Sequence, residues 1–228
     1  MPSFSSAEYA AILLSLKVAS TATLVSLPFG FGAAYLMTYC RFRGKIALDV
    51  AVNLPLTLPP VVIGYLLLIL LGQKGFIGHH LLEPLGIRLI FTWKAAVIAT
   101  AVVGFPLLVR SIRIGMETID PMIIKASRTL GAGWLDAMFS VIIPLSLRGV
   151  LAGSALMFAR ALGEFGATII VAGNIPGVTQ TIPLAIYDYA SSPDGDAMAM
   201  LLCLVSVVIS VLVLLFHEYL SRRMIRVD

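Results

Sequence analysis

The stretch 198–220, MAMLLCLVSVVISVLVLLFHEYL, carries no charged side chain before Glu218. As a helix rising 1.5 Å per residue it is long enough to cross a hydrocarbon layer of about 30 Å. A helix that is apolar on every side has no place on a soluble globule, so this run predicts a membrane span. Working outward from it, four further runs read the same way: 11–39, 46–71, 92–109 and 150–172. The first contains Lys17, Pro28 and Gly30, and the second contains Pro55, Pro59 and Pro60.

The whole chain agrees with that reading. Of its 228 residues 59% are hydrophobic and 12% charged, and the mean hydropathy is +0.99. Soluble domains carry about 25% charged residues, so a soluble globule is excluded, and the apolar content excludes disorder. The two cysteines, Cys40 and Cys203, lie far apart and suggest neither a disulfide framework nor a metal site. His79 and His80 have no further ligand beside them and read as solvated residues. The first sixteen residues hold no Lys or Arg, which argues against a cleaved secretory signal.

Charge placement orients the chain. Arg41, Arg43 and Lys45 follow the first span, and Arg110, Arg113, Lys125, Arg128 and Arg148 lie between the third and fourth. Arg222, Arg223 and Arg226 follow the fifth. Eleven of the 16 Lys and Arg thus fall on one side, which the positive-inside rule makes cytoplasmic. The opposite side holds Lys74 and Arg88 with Glu8, Glu83, Asp188, Asp194 and Asp196. The expectation is an all-α integral membrane protein of about five spans, N-terminus out and C-terminus in. One domain covers 8–220, and a basic cytoplasmic tail covers 221–228. The outer segment 173–197 is a candidate for a partly re-entrant path, which needs protein or a water-filled cavity around it.

The long loop 110–148 has its own grammar. Asp120-Pro121 is a helix start, with a capping carboxylate before a proline at the first helical position. A helix over 121–130 follows, and Gly131 and Gly133 supply the break expected at a C-terminus. A second stretch, 134–143, is expected to end at Pro144. The residues alone fit either an amphipathic loop resting on headgroups or a protrusion that receives a partner. In the fourth run Arg160 and Glu164 stand four apart, on one face of a continuous helix. Charges at membrane depth are costly, so the pair is either a structural ion pair or part of a path or gate. Gly149 and Gly153 open this run with a close-packing motif.

The run Lys125-Ala126-Ser127-Arg128-Thr129-Leu130-Gly131-Ala132, followed by Val141-Ile142-Ile143-Pro144, resembles the signature loop of ABC-importer permeases. Ala126, Gly131 and Pro144 match in register, whereas Lys125 replaces a glutamate and Ser127 an alanine of that pattern. Residues 159–168, ARALGEFGAT, resemble the segment of permeases for molybdate, tungstate and sulfate. Asn174-Ile175-Pro176-Gly177 with 179–183, TQTIP, is similar to the molybdate members in particular, and 54–65, LPLTLPPVVIGY, and 128–132, RTLGA, are further matches to these permeases.

The resemblance implies a type I ABC-importer permease fold in the inner membrane. Lys125, Ala126, Ser127, Arg128, Gly131 and Pro144 would belong to a coupling helix that docks an ATPase. Arg160, Glu164, Gly166 and Thr168 become candidates for the translocation path or gate. The implied partners are two ABC ATPase subunits, a second copy of this chain, an extracytoplasmic molybdate-binding protein and membrane lipid, with no nucleic acid. No cofactor or metal is expected on this chain. It lacks a G-x-x-x-x-G-K-[ST] phosphate loop, so ATP and Mg would be held by the partner, and this chain would be no enzyme. Sulfate or tungstate remains open as cargo, as does a stand-alone secondary transporter or channel. No nucleophile–base set supports a membrane enzyme.

Overall fold

Two consecutive prolines decide the shape of the second hydrophobic run. A residue before proline is pushed out of the helical region, and here Leu58 and Pro59 both precede one. Each is extended, with ψ of 142° and 134°. Helix α2 (Lys45–Thr57) therefore stops, α3 (Pro60–Leu71) starts afresh, and the two are bent by 115°. The second run, read from sequence as one span, is thus divided into two helices. Pro55 lies inside α2 without ending it.

The computed structural model describes residues 5–82 and 86–225. Helix α1 (Ser6–Tyr39) begins five residues before the predicted span. Its start is a capping box in which Ser5 and Glu8 exchange side-chain to backbone hydrogen bonds. Glu8, expected among the outer loop acids, is only 3% exposed. Helix α4 (Trp93–Glu117) runs eight residues past its predicted end. Hydropathy marks where apolar contact stops rather than where backbone bonding stops. Arg113 sustains the extension by pairing with Glu117 one turn on, at 2.8 Å, and with Asp49 of α2, at 3.3 Å.

Beyond α4 come α5 (Pro121–Thr129) and α6 (Trp134–Ala137). Helix α6 passes through a wide turn, Met138–Ile142, into α7 (Ile143–Leu162). Pro144 does not end this helix, contrary to the sequence expectation. The Ile143 N–H bonds Met138 O, five residues back, and this wider winding sets the proline in the first turn of α7, where its missing N–H is tolerated. Helix α8 (Gly166–Ala172) follows a break at 163–165, then α9 (Ile182–Ala190) and α10 (Asp196–Ile225). The predicted basic tail is therefore helical through Ile225, while 226–228 lie outside the described residues. Among the described residues, four helices are long and apolar enough to cross a membrane. They become five if the bent α2–α3 pair counts as one span.

The core lies where α4 is held between α1 and α7. Glycines set the α4–α7 separation. A Cβ on Gly149 would stand 2.7 Å from Ser111 O and 2.8 Å from Gly115 Cα, and one on Gly153 2.9 Å from Leu108 O. Backbone approach of this kind is how membrane helices gain van der Waals contact without a hydrophobic driving force. Helices α3 and α8 meet in the same way, since a Cβ on Gly64 would fall 2.7 Å from Ala167 O. Helix α10 instead leaves Leu204, Val208, Leu212 and Leu215 exposed, as a surface against lipid tails requires.

Candidate functional site

Two regions collect the residues singled out by the sequence. The first is the protrusion, residues 118–133. Its helix α5 is capped as expected: Asp120 Oδ1 accepts from Met122 N at 2.8 Å, and Pro121 fills the first turn. At the other end the Gly131 N–H bonds Arg128 O at 3.1 Å and the Ala132 N–H bonds Ser127 O at 3.1 Å. These two bonds make a complete Schellman motif. It requires the left-handed conformation that Gly131 adopts, with φ of +94°. None of α5 is buried. Lys125, Ala126 and Arg128 point outward, and Ser127 is half-buried with its hydroxyl donating to Ile124 O at 2.9 Å. The protrusion exposes apolar surface at Met122, Ile123 and Leu130, with Leu130 89% exposed, and Trp134 and Leu135 of α6 continue it. Pro144 lies in the root of α7, away from this surface.

The second region is the break between α7 and α8. Helix α7 ends at Leu162, so Glu164 does not share a helical face with Arg160 as the spacing suggested. The pair forms nonetheless. Arg160 Nη2 lies 2.8 Å from Glu164 Oε2, an ionic contact without the alignment of a hydrogen bond. Glu164 Oε1 accepts from Ala167 N at 2.8 Å, so the carboxylate also caps the first turn of α8. The two partners differ in burial: Glu164 is 2% exposed and Arg160 33%. Gly166 lies against α3, where a Cβ would approach Pro60 Cβ to 3.1 Å. Thr168 is buried. Of the four residues predicted here, the structure brings Arg160 and Glu164 into contact and leaves Arg160 as the accessible charge. Gly166 belongs to the α3–α8 packing.

A buried polar seam lies beside this break, within the outer segment 173–197 that the sequence marks as a candidate re-entrant path. Gly173 turns the chain with φ of +72°, and the following segment dives back into the bundle. Thr179, Gln180 and Thr181 are buried. Thr179 Oγ1 accepts from Ile175 N at 3.0 Å, and Gln180 Nε2 donates to Asp188 Oδ2 at 2.8 Å. The Ile182 N–H donates to Ser15 Oγ of α1 at 2.7 Å. Irregular backbone packed inside protein is the kind tolerated at membrane depth. At the same end the Tyr189 hydroxyl donates to the buried Glu8 carboxylate, and this bond, with burial, pushes the phenol up to about 12. The Ser-x-x-Glu spacing of Ser5 and Glu8 is the local signal that could have found Glu8 here.

Cavities lie at both ends. One of about 930 Å³, at the end opposite the protrusion, is lined by Lys74 and Arg88 with neighbours from 68–78 and 86–91. Another of about 300 Å³, on the protrusion side, is lined by Asp49, Asn53, Arg110 and Arg113.

Residues 26–226 match the family described as "Binding-protein-dependent transport system inner membrane component". The chain is 50% identical over 215 residues to the molybdenum transport system permease protein ModB of Escherichia coli, covering 94% of each. It is 49% identical over 217 residues to ModB of Haemophilus influenzae, covering 95% of each. Among solved structures it superposes on a chain of a bacterial alginate ABC transporter with a TM-score of 0.76 at 15% identity. That match covers 96% of this chain and 80% of the other. A chain of the MetNI methionine ABC transporter in inward-facing form gives 0.70 at 18% identity, covering 97% and 99%. These structural likenesses establish an ABC-importer permease fold.

Proposed function

The chain belongs to the family of binding-protein-dependent transport components of the inner membrane, and we propose that it is the translocation subunit of an ATP-driven molybdate importer. The observation that carries this is half-identity, over nearly the full length of both chains, to permeases of molybdenum transport. The chain is a permease subunit; ATP hydrolysis, with its Mg, falls to two copies of a separate ATPase. A second copy of this chain completes the path, and an extracytoplasmic binding protein delivers the anion. The orientation is N-terminus out and C-terminus in, in accord with the basic residues gathered at one end.

On this reading the protrusion is the coupling helix. Lys125, Ala126, Ser127, Arg128 and Gly131 form the docking element, and Pro144 lies in the root of the helix behind it. Its exposed apolar surface, on a segment that buries none of its own helix, supports a docking partner. ATP closes the ATPase pair, the coupling helices approach each other, and the path opens outward; hydrolysis resets it. Arg160, Glu164, Gly166 and Thr168 mark the path or its gate. Arg160 contributes the reachable positive charge, Glu164 holds it, and Gly166 sets the packing of the half-helices. A path of weak sites suffices, since a tight one would not release its cargo. Most selectivity then belongs to the binding protein.

The substrate assignment is tested by uptake of labelled molybdate in cells expressing this chain with its partners. Uptake should be lost when the chain is deleted and should survive a large excess of sulfate. Sulfate uptake of equal size, suppressed equally by either anion, would overturn the molybdate assignment.

A further inference from the structure

Helix α1 holds both roots of the protrusion. Tyr35 and Tyr39 are four residues apart and so share a face. Their rings are in contact, with centroids 5.3 Å apart. Trp134, where the chain leaves the protrusion, donates its indole N–H to the Tyr35 hydroxyl at 2.6 Å, with the rings edge-on at 6.0 Å and 77°. The Tyr39 hydroxyl donates to Met116 O at 3.0 Å, where the chain enters the protrusion. The Met116 carbonyl also accepts from Ile119 N at 3.2 Å, so both of its acceptor sites are used. With α5 unburied, these bonds fix the two roots against a common support. That support is a single 34-residue helix. About 30 Å further along it, at 1.5 Å per residue, Ser15 holds Ile182 N of the buried polar seam.

We propose that Tyr35 and Tyr39 are positioning residues for energy coupling: they clamp the docking protrusion to α1, so that displacement of the protrusion moves α1 and the seam it holds. This deepens the coupling-helix reading and rests on it. The clamp differs from ordinary packing in a testable way. A group that only stabilises the fold changes how much complex survives. A group that transmits work changes how much ATP is hydrolysed per anion moved.

The test uses the complete transporter in proteoliposomes, with binding protein and molybdate. Tyr35→Phe and Tyr39→Phe keep the rings and remove the hydrogen bonds. Each should assemble and hydrolyse ATP, with ATP consumed per molybdate raised roughly three- to tenfold, the size of coupling that one hydrogen bond can carry. A wild-type ratio in both variants would overturn the clamp, as would loss of complex with the ratio unchanged. Leu130→Glu separates the two layers. If it leaves the ATPase bound, the docking reading fails and the clamp fails with it. If it releases the ATPase while the Phe variants couple normally, the clamp alone is wrong.

Discussion

Leu130→Glu should strip the ATPase from this chain and leave the chain itself inserted in the membrane. Leu130 is 89% exposed at the tip of the protrusion and touches nothing whose loss would destabilise the bundle. If it fills an apolar pocket on the partner, a charge there must be desolvated without a counter-ion. Losses at such anchors are typically about 2 kcal/mol or more, roughly 30-fold in affinity. Gly131→Leu should act in the same direction by a different route. There is open space around its Cβ position, but φ of +94° suits glycine. A leucine there costs about 1–2 kcal/mol or unwinds the last turn of α5, displacing Leu130. Co-purification of the ATPase with each variant, against normal membrane yield of the chain, reads both effects. Normal ATPase recovery with both variants would count against docking at this surface.

Arg160→Met should be more damaging than Glu164→Gln, although the two residues form one ion pair. The asymmetry follows from burial. Losing Arg160 leaves a carboxylate that is 2% exposed, with only the Ala167 N–H to answer it. Breaking a buried pair from that side costs about 3–5 kcal/mol. Losing the Glu164 charge leaves a guanidinium that is one-third exposed and can be solvated, so the cost is reduced towards that of a surface pair. Glutamine also keeps an oxygen to cap α8. Yield and thermal stability of the purified permease should therefore fall steeply for Arg160→Met and slightly for Glu164→Gln. They should recover in the double variant. Molybdate uptake by the double variant then separates the two roles. If Arg160 serves the anion path, uptake stays well below wild type in a folded, ATPase-bound complex; full uptake would confine the pair to structure.

The parts of this fold that were legible from sequence are those written in local chemistry. Asp120-Pro121 and Gly131 announced both ends of α5 because a cap and a left-handed glycine are properties of adjacent residues. The apolar runs of α1 and α10 were equally plain. The breaks were not, because apolar content continues across them. Residues 150–172 read as one span although Gly163, Glu164 and Phe165 interrupt it, and the reason is tertiary: Glu164 caps α8, and α8 packs on α3. The segment of Thr179, Gln180 and Thr181 read as a candidate re-entrant path, but the groups that answer it were hidden for a similar reason. Its backbone is answered by Ser15, 167 residues from Ile182. The Tyr35–Trp134 bond spans 99 residues and left no trace in local pattern.

The claim on which the account turns is that this chain moves molybdate only when a separate ATPase works upon it. Proteoliposomes holding the chain, its ATPase and the binding protein, loaded with ATP on the side of the basic loops, test it directly. Molybdate should accumulate against its gradient, and omission of the ATPase, the binding protein or ATP should each abolish accumulation. Accumulation by the chain alone, driven by an ion gradient or passing as a leak, would contradict the account.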